Sequence, residues 1–153
     1  MNRTQPAARC PNVGKALLLS CIDDRLVAPD TVFVAELGGA FMARTAGGTY
    51  GAARHPAWLA EQVVTAWQVN QITDVYLQSH TDCGFYAAHA PNPAVGLESQ
   101  VAELYEVIDT VIVELTAAIA ALGVPADAIA YHARVVDPNG GIEPRAVGQS
   151  RPH

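Results

Sequence analysis

The chain of 153 residues carries nine Lys and Arg against fifteen Asp and Glu, a formal charge of -6, and half of its residues are hydrophobic. That length and apolar content suit one domain with a sizeable core, and nine scattered cations argue against a nucleic-acid-binding surface. No apolar run of about 18 residues occurs, and the polar start Met1-Asn2-Arg3-Thr4-Gln5-Pro6 lacks the apolar centre of a secretory signal, so a cytoplasmic protein with no membrane span is expected.

In chain order, residues 1–14 hold two prolines, Asn12 and Gly14 without apolar periodicity and are expected to form a flexible arm. Cys10, between Arg9 and Pro11, reads there as an incidental surface thiol. Lys15 to Ser20 is a continuous apolar run and predicts a strand buried on both faces, as in a parallel sheet. Leu26 to Val34, with Pro29-Asp30-Thr31, fits a short helix, whereas Phe33-Val34-Ala35 alone fits a strand; local pattern does not decide. Ala40 to Ala43 is the second strand, followed by the turn-rich Thr45-Ala46-Gly47-Gly48-Thr49-Tyr50-Gly51. Neither Gly-x-Gly-x-x-Gly nor the lysine of a phosphate loop accompanies those glycines, so nucleotide binding is not expected.

Pro56 suits the first turn of a helix over 56–69, with Leu59, Val63, Ala66 and Trp67 on one stripe. That helix feeds a strand from Asp74 to Ser79, an order that implies parallel pairing with a right-handed crossover. Gly84 to Ala90 is a short helix stopped by Pro91-Asn92-Pro93. Leu97, Val101, Leu104, Ile108, Val111, Leu115, Ile119 and Leu122 recur at three and four, predicting a long amphipathic helix that ends at Gly123. Ala128 to Val136 is the last strand, 137–141 a turn, and the tail from Glu143, with Pro144 and Pro152, is expected to be loosely ordered. The organisation is therefore an α/β domain over 15–145, a central and mostly parallel sheet flanked by helices, with 146–153 as a tail.

The chemistry gathers at two strand ends. Alternate residues of an extended segment share a face, so Cys21, Asp23 and Arg25 can point into one cleft as a thiolate, a carboxylate and a permanent cation. After the apolar Val75-Tyr76-Leu77 comes Ser79-His80-Thr81-Asp82-Cys83-Gly84, in which His80 and Cys83 are spaced to share one metal as strand bends into helix. Cys21 completes a Cys2His set, which suits Zn2+ and leaves a fourth position for chemistry. An odd count of three cysteines likewise favours ligands in a reducing compartment over a disulfide framework. His55, His89 and His132 fall outside this pattern and read as structural, and Trp58 and Trp67 as core or dimer surface.

Cys-x-Asp-x-Arg at one strand end and His-x-x-Cys-Gly at another resemble the β-class carbonic anhydrases. Ala40-Phe41-Met42-Ala43-Arg44-Thr45-Ala46-Gly47-Gly48 is similar to that family's Phe-x-x-Arg-Asn-Ala-Gly-Asn segment, and Tyr131 to Ile142 to its last strand and glycine-containing turn. The resemblance favours helix over strand after Arg25. It implies zinc held by Cys21, His80 and Cys83, and hydration of carbon dioxide to bicarbonate by zinc-bound hydroxide. Asp23 would orient that hydroxide, Arg25 would hold Asp23, and Arg44 would lie near an anion region on the dimer side. Three residues depart from the family pattern: Asp24 stands where Ser is usual, Ser79 where Gly precedes the histidine, and Thr45 where Asn is usual. Set beside that family, the chain is expected to lack most of the N-terminal helical arm that wraps the partner subunit in many relatives.

Two other functions remain open on the same residues: a hydrolase of carbon disulfide or carbonyl sulfide on this zinc site, and a zinc-stabilised interaction or scaffold protein with little turnover. The Asp23–Arg25 dyad favours an enzyme, since a structural zinc has no use for it and more often takes four protein ligands. A homodimer or higher homo-oligomer is expected, because the helix of Leu97 to Leu122 and the tryptophan-bearing helix offer more apolar surface than one short chain covers.

Overall fold

The computed structural model of the protein describes residues 14–139 and 141–145. Cys10, nearly all of the expected arm, and residues 146–153 of the tail lie outside the described residues.

Five strands form one sheet in the order β2-β1-β3-β4-β5: β1 (Ala16–Cys21), β2 (Phe41–Thr45), β3 (Asp74–His80), β4 (Ala130–Val136) and β5 (Ile142–Glu143). The first four are mutually parallel and β5 runs antiparallel to β4. β1 lies at the heart of the sheet, with Leu17 opposite both Phe41 and Val75, and all six of its residues are buried. An unbroken apolar run is what a strand covered on both faces needs.

One face of the sheet carries the main core. Leu17, Leu19 and Cys21 of β1 and Val75 and Leu77 of β3 pack there with Leu59 and Val63 of α3 (Pro56–Asn70) and Leu104, Ile108, Val111 and Leu115 of α5 (Leu97–Ala121). Each such side chain contributes about 1.5–3 kcal/mol when withdrawn from water. Trp58 and Trp67 lie partly buried against the same core. Much of the apolar surface expected to drive oligomerisation is therefore consumed inside the chain.

The other face is covered by α1 (Val27–Glu36), which follows a short 3-10 turn over Asp24–Leu26. Asp30 explains why local pattern did not decide this segment: a carboxylate faces inward where an amphipathic helix would place an apolar residue. Buried Asp30 accepts from Ser20 Oγ at 2.6 Å and Gln78 Nε2 at 2.8 Å and pairs with Arg44 at 2.9 Å. Those partners offset the cost of taking a charge out of water. Beside them Phe33 meets the edge of Tyr76, with the Arg134 guanidinium 3.4 Å from the Phe33 ring centre.

Two expectations need correction. The turn-rich 45–51 stretch contains a helix, α2 (Gly48–Ala52), preceded by Gly47 at φ 81°. Its glycines suppress helix propensity but permit close approach: a Cβ on Gly48, itself at φ 56°, would lie 2.5 Å from the Gln78 carbonyl oxygen. Residues 143–145 of the expected loose tail are also held to the fold. Glu143 pairs with Val135, its carbonyl accepts from Tyr105 Oη at 2.6 Å, and Arg145 grips Asp109 with two nitrogens over the Tyr105 ring. Among the described residues no helix is long and apolar enough to cross a membrane.

Candidate metal centre

Parallel neighbours β1 and β3 end on the same edge of the sheet, and this brings the two halves of the sequence pattern together. Cys21 is the last residue of β1, His80 the last of β3, and Cys83 directly precedes α4 (Gly84–His89). All three are buried, and one ligand atom from each lies within 4.8 Å of the others. Tetrahedral zinc with bonds of about 2.0–2.3 Å holds its ligand atoms about 3.5–3.8 Å apart, so this set fits the ion with small closure.

The hydrogen bonds of the set point the same way. His80 Nδ1 lies 2.8 Å from the Thr81 carbonyl, a bond that requires the proton on Nδ1. In the neutral ring Nε2 is then a bare lone pair, and it is buried with no hydrogen-bond partner. A buried acceptor left without a donor costs stability, and a metal ion would satisfy it. Gly47 N–H, delivered by the left-handed turn before α2, donates to Cys21 Sγ at 3.2 Å. The Cys21 thiol is pulled well below its ordinary pKa, first by its hydrogen bond with Cys83, against the opposing effect of burial, and then by other donors including Gly47 N–H. Cys83 is pushed up, first by the same bond and then by burial. One thiolate is thus stabilised even before a metal's charge is considered.

Asp23 and Arg25 stand at the mouth of this set. Asp23 Oδ2 is 3.8 Å from His80 Nε2. Arg25 grips the carboxylate as a fork, Nε to Oδ1 at 3.0 Å and Nη2 to Oδ2 at 2.7 Å, while its backbone N–H donates to Oδ1 at 3.0 Å. The guanidinium bond, ahead of all other influences, holds Asp23 down to about 2. The cleft in front, of about 520 Å³, is lined by Cys21, Ile22, Asp23, Asp24, Arg25, Ala46, Gly47, Cys83, Gly84 and Phe85.

The structure brings all five sequence-predicted residues to one place. Of the departures, Asp24 lines the cleft, Ser79 Oγ accepts from Tyr50 N–H at 3.3 Å, and the Thr45 carbonyl accepts from Ile22 N–H. Arg44 is spent within the fold, on Asp30 and on the Cys21 carbonyl at 2.8 Å. His132 stacks on Tyr76 and pairs with Asp74 at 2.8 Å, a structural role as expected. Three neighbours escaped the sequence reading: the Gly47 N–H, the Thr81 carbonyl and Asp82. Main-chain groups leave no mark in side-chain identity, whereas Asp82 stood inside the His-x-x-Cys motif.

A family model described as carbonic anhydrase matches residues 16–134. Among solved structures, the β-carbonic anhydrase CafA of Aspergillus fumigatus is 21% identical with a TM-score of 0.58, over 91% of this chain and 77% of that one. The β-carbonic anhydrase CcaA is 20% identical with a TM-score of 0.53, over 82% of this chain and 75% of that one. No curated protein matches the chain significantly.

Proposed function

The chain belongs to the carbonic anhydrase family, and on that premise we propose that it catalyses the reversible hydration of carbon dioxide to bicarbonate, with one zinc ion held by Cys21, His80 and Cys83. The observation that carries this reading is the unpartnered His80 Nε2 between two buried cysteines, with an ionised Asp23–Arg25 pair 3.8 Å away. Two free cysteines used as ligands also fit a cytoplasmic location, where thiols stay reduced.

Bound zinc supplies a Lewis acid that lowers the pKa of water to about 7. The chain's own residues do the rest. Thr81 fixes the His80 tautomer and ring orientation, and Gly47 N–H supports the charge on Cys21. Asp23 would accept a hydrogen bond from the attacking water and so keep a lone pair of the water's own oxygen turned toward the substrate. Arg25 keeps that carboxylate charged and immobile through a two-point bond. Ile22, Ala46 and Phe85 add apolar wall to the cleft, which suits an uncharged substrate. We further propose that the protein works as a homo-oligomer.

The test is a zinc determination followed by stopped-flow assay of carbon dioxide, carbon disulfide and carbonyl sulfide side by side. About one zinc per chain and turnover of carbon dioxide are expected. Turnover of only a sulfur analogue would reassign the substrate. Bound zinc with no turnover of any of the three would make the metal structural.

A further inference from the structure

Arg25 does more than hold Asp23. Its Nη1 donates to Asp82 Oδ2 at 3.0 Å and its Nη2 to the Asp82 main-chain carbonyl at 3.0 Å. Asp82 sits between His80 and Cys83, in the loop after β3, whereas Arg25 belongs to the loop after β1 that follows Cys21. Among the described residues, both hydrogen bonds joining 22–26 to 81–84 come from this one guanidinium. The two ligand cysteines meet directly, but the main-chain ties of these loops run to other strands: Ile22 N–H to Thr45 on β2, and Thr81 N–H to Val136 on β4.

Asp82 is also in the left-handed region at φ 54°, which a non-glycine residue keeps only when its surroundings hold it there. Three tethers do so: its N–H to Gln100 Oε1 at 3.2 Å, and its carboxylate and carbonyl to Arg25. Its side chain is otherwise 84% exposed, so it has no packing duty to explain its presence.

We propose that Asp82 is a positioning residue acting through Arg25, closing a latch that ties the two ligand-bearing loops together and slows the loss of bound zinc. The proposal rests on the zinc site of the preceding subsection. It goes beyond the Asp–Arg dyad by giving the guanidinium a second task, in which the charge-assisted Asp82 contact fixes where the Cys83 loop sits relative to Cys21. The main-chain half of the latch survives any substitution at Asp82, so loss of Arg25 must be the more severe.

The experiment measures zinc release from the loaded protein to a chromophoric chelator, with melting temperature as a control. Asn tolerates the left-handed region, so Asp82→Asn removes the charge and keeps the backbone. Release is expected to quicken about two- to fivefold in Asp82→Asn and about tenfold in Arg25→Gln. The double variant should release no faster than Arg25→Gln alone, because both changes open one latch. Equal acceleration by Asp82→Asn in the parental and Arg25→Gln backgrounds would overturn the proposal, as would unchanged release in Asp82→Asn. A parent that releases zinc as expected but hydrates no carbon dioxide sinks the proposed function and leaves the latch standing. A parent that takes up no zinc sinks both.

Discussion

Asp23 combines a two-point ionic clamp with a place 3.8 Å from the His80 nitrogen, so changing its charge alone separates catalysis from metal retention. Asp23→Asn fills the same space, but its amide can donate where the carboxylate only accepts, so the attacking water is no longer held in one orientation. Hydration is expected to fall about 10²-fold or more, with zinc content unchanged by elemental analysis. Parental rates in that variant would remove the dyad from the mechanism. The same clamp sets a pH dependence. Arg25 holds Asp23 at about 2, below the unfolded value of about 3.9, so its stabilising contribution is complete above that unfolded value and is lost as pH falls toward 2. In urea unfolding the parent should therefore exceed Asp23→Asn at pH 6, and the gap should shrink between pH 4 and 2.5. The gap will be small, because the pair is solvent-accessible. A gap that widened on acidification would contradict the assignment.

At the scale of elements, α2 is the part of the site that rests most on backbone. Gly48 lies where a Cβ would come within 2.5 Å of the Gln78 carbonyl and 3.3 Å of the Cys21 nitrogen, at a φ that favours glycine. Gly48→Ala should cost about 1–3 kcal/mol, visible as a lower melting temperature. It should also reduce zinc content, since the turn carrying Gly47 N–H to Cys21 must move. A variant as stable and as zinc-replete as the parent would show that α2 can shift freely. This helix is also where the sequence was least legible. Lys15 to Ser20 and Leu97 to Leu122 announce β1 and α5 because burial on both faces, or along one stripe, writes itself into side-chain pattern. Gly48 to Ala52 is chosen for close approach instead, and glycine's low helix propensity hides the result. Asp30 misleads in a related way, being polar yet buried, because its partners Ser20, Gln78 and Arg44 come from three strands distant in sequence. The metal set was legible for the opposite reason: Cys21, His80 and Cys83 need particular atoms, and few other residue types supply them.

The whole molecule buries its two sheet faces unequally, and this bears on assembly. α3 and α5 pack over one face, whereas among the described residues α1 alone serves the other. On that second side Val32 and Ile142 remain 60% and 58% exposed, beside a cavity whose other walls include the charged Asp30, Glu36 and Arg134 as well as Pro29, Phe33 and Val136. Exposed apolar side chains rimmed by charged ones are what a contact between copies covers, because under two-fold symmetry each subunit offers the same patch to the other. The apolar stripe of the tryptophan-bearing helix already packs on the core, so we propose the α1 side as the surface to test for contact between copies. Light scattering at micromolar concentration should report a dimer or a multiple of one. Val32→Glu should shift it toward monomer, because it removes apolar area from the contact and adds a charge that must be stripped of water there. Zinc content should stay unchanged in that variant, since Val32 lies outside the cleft in front of Cys21 and Cys83. A monomeric parent, or a dimer indifferent to Val32→Glu, would move the interface elsewhere or remove it.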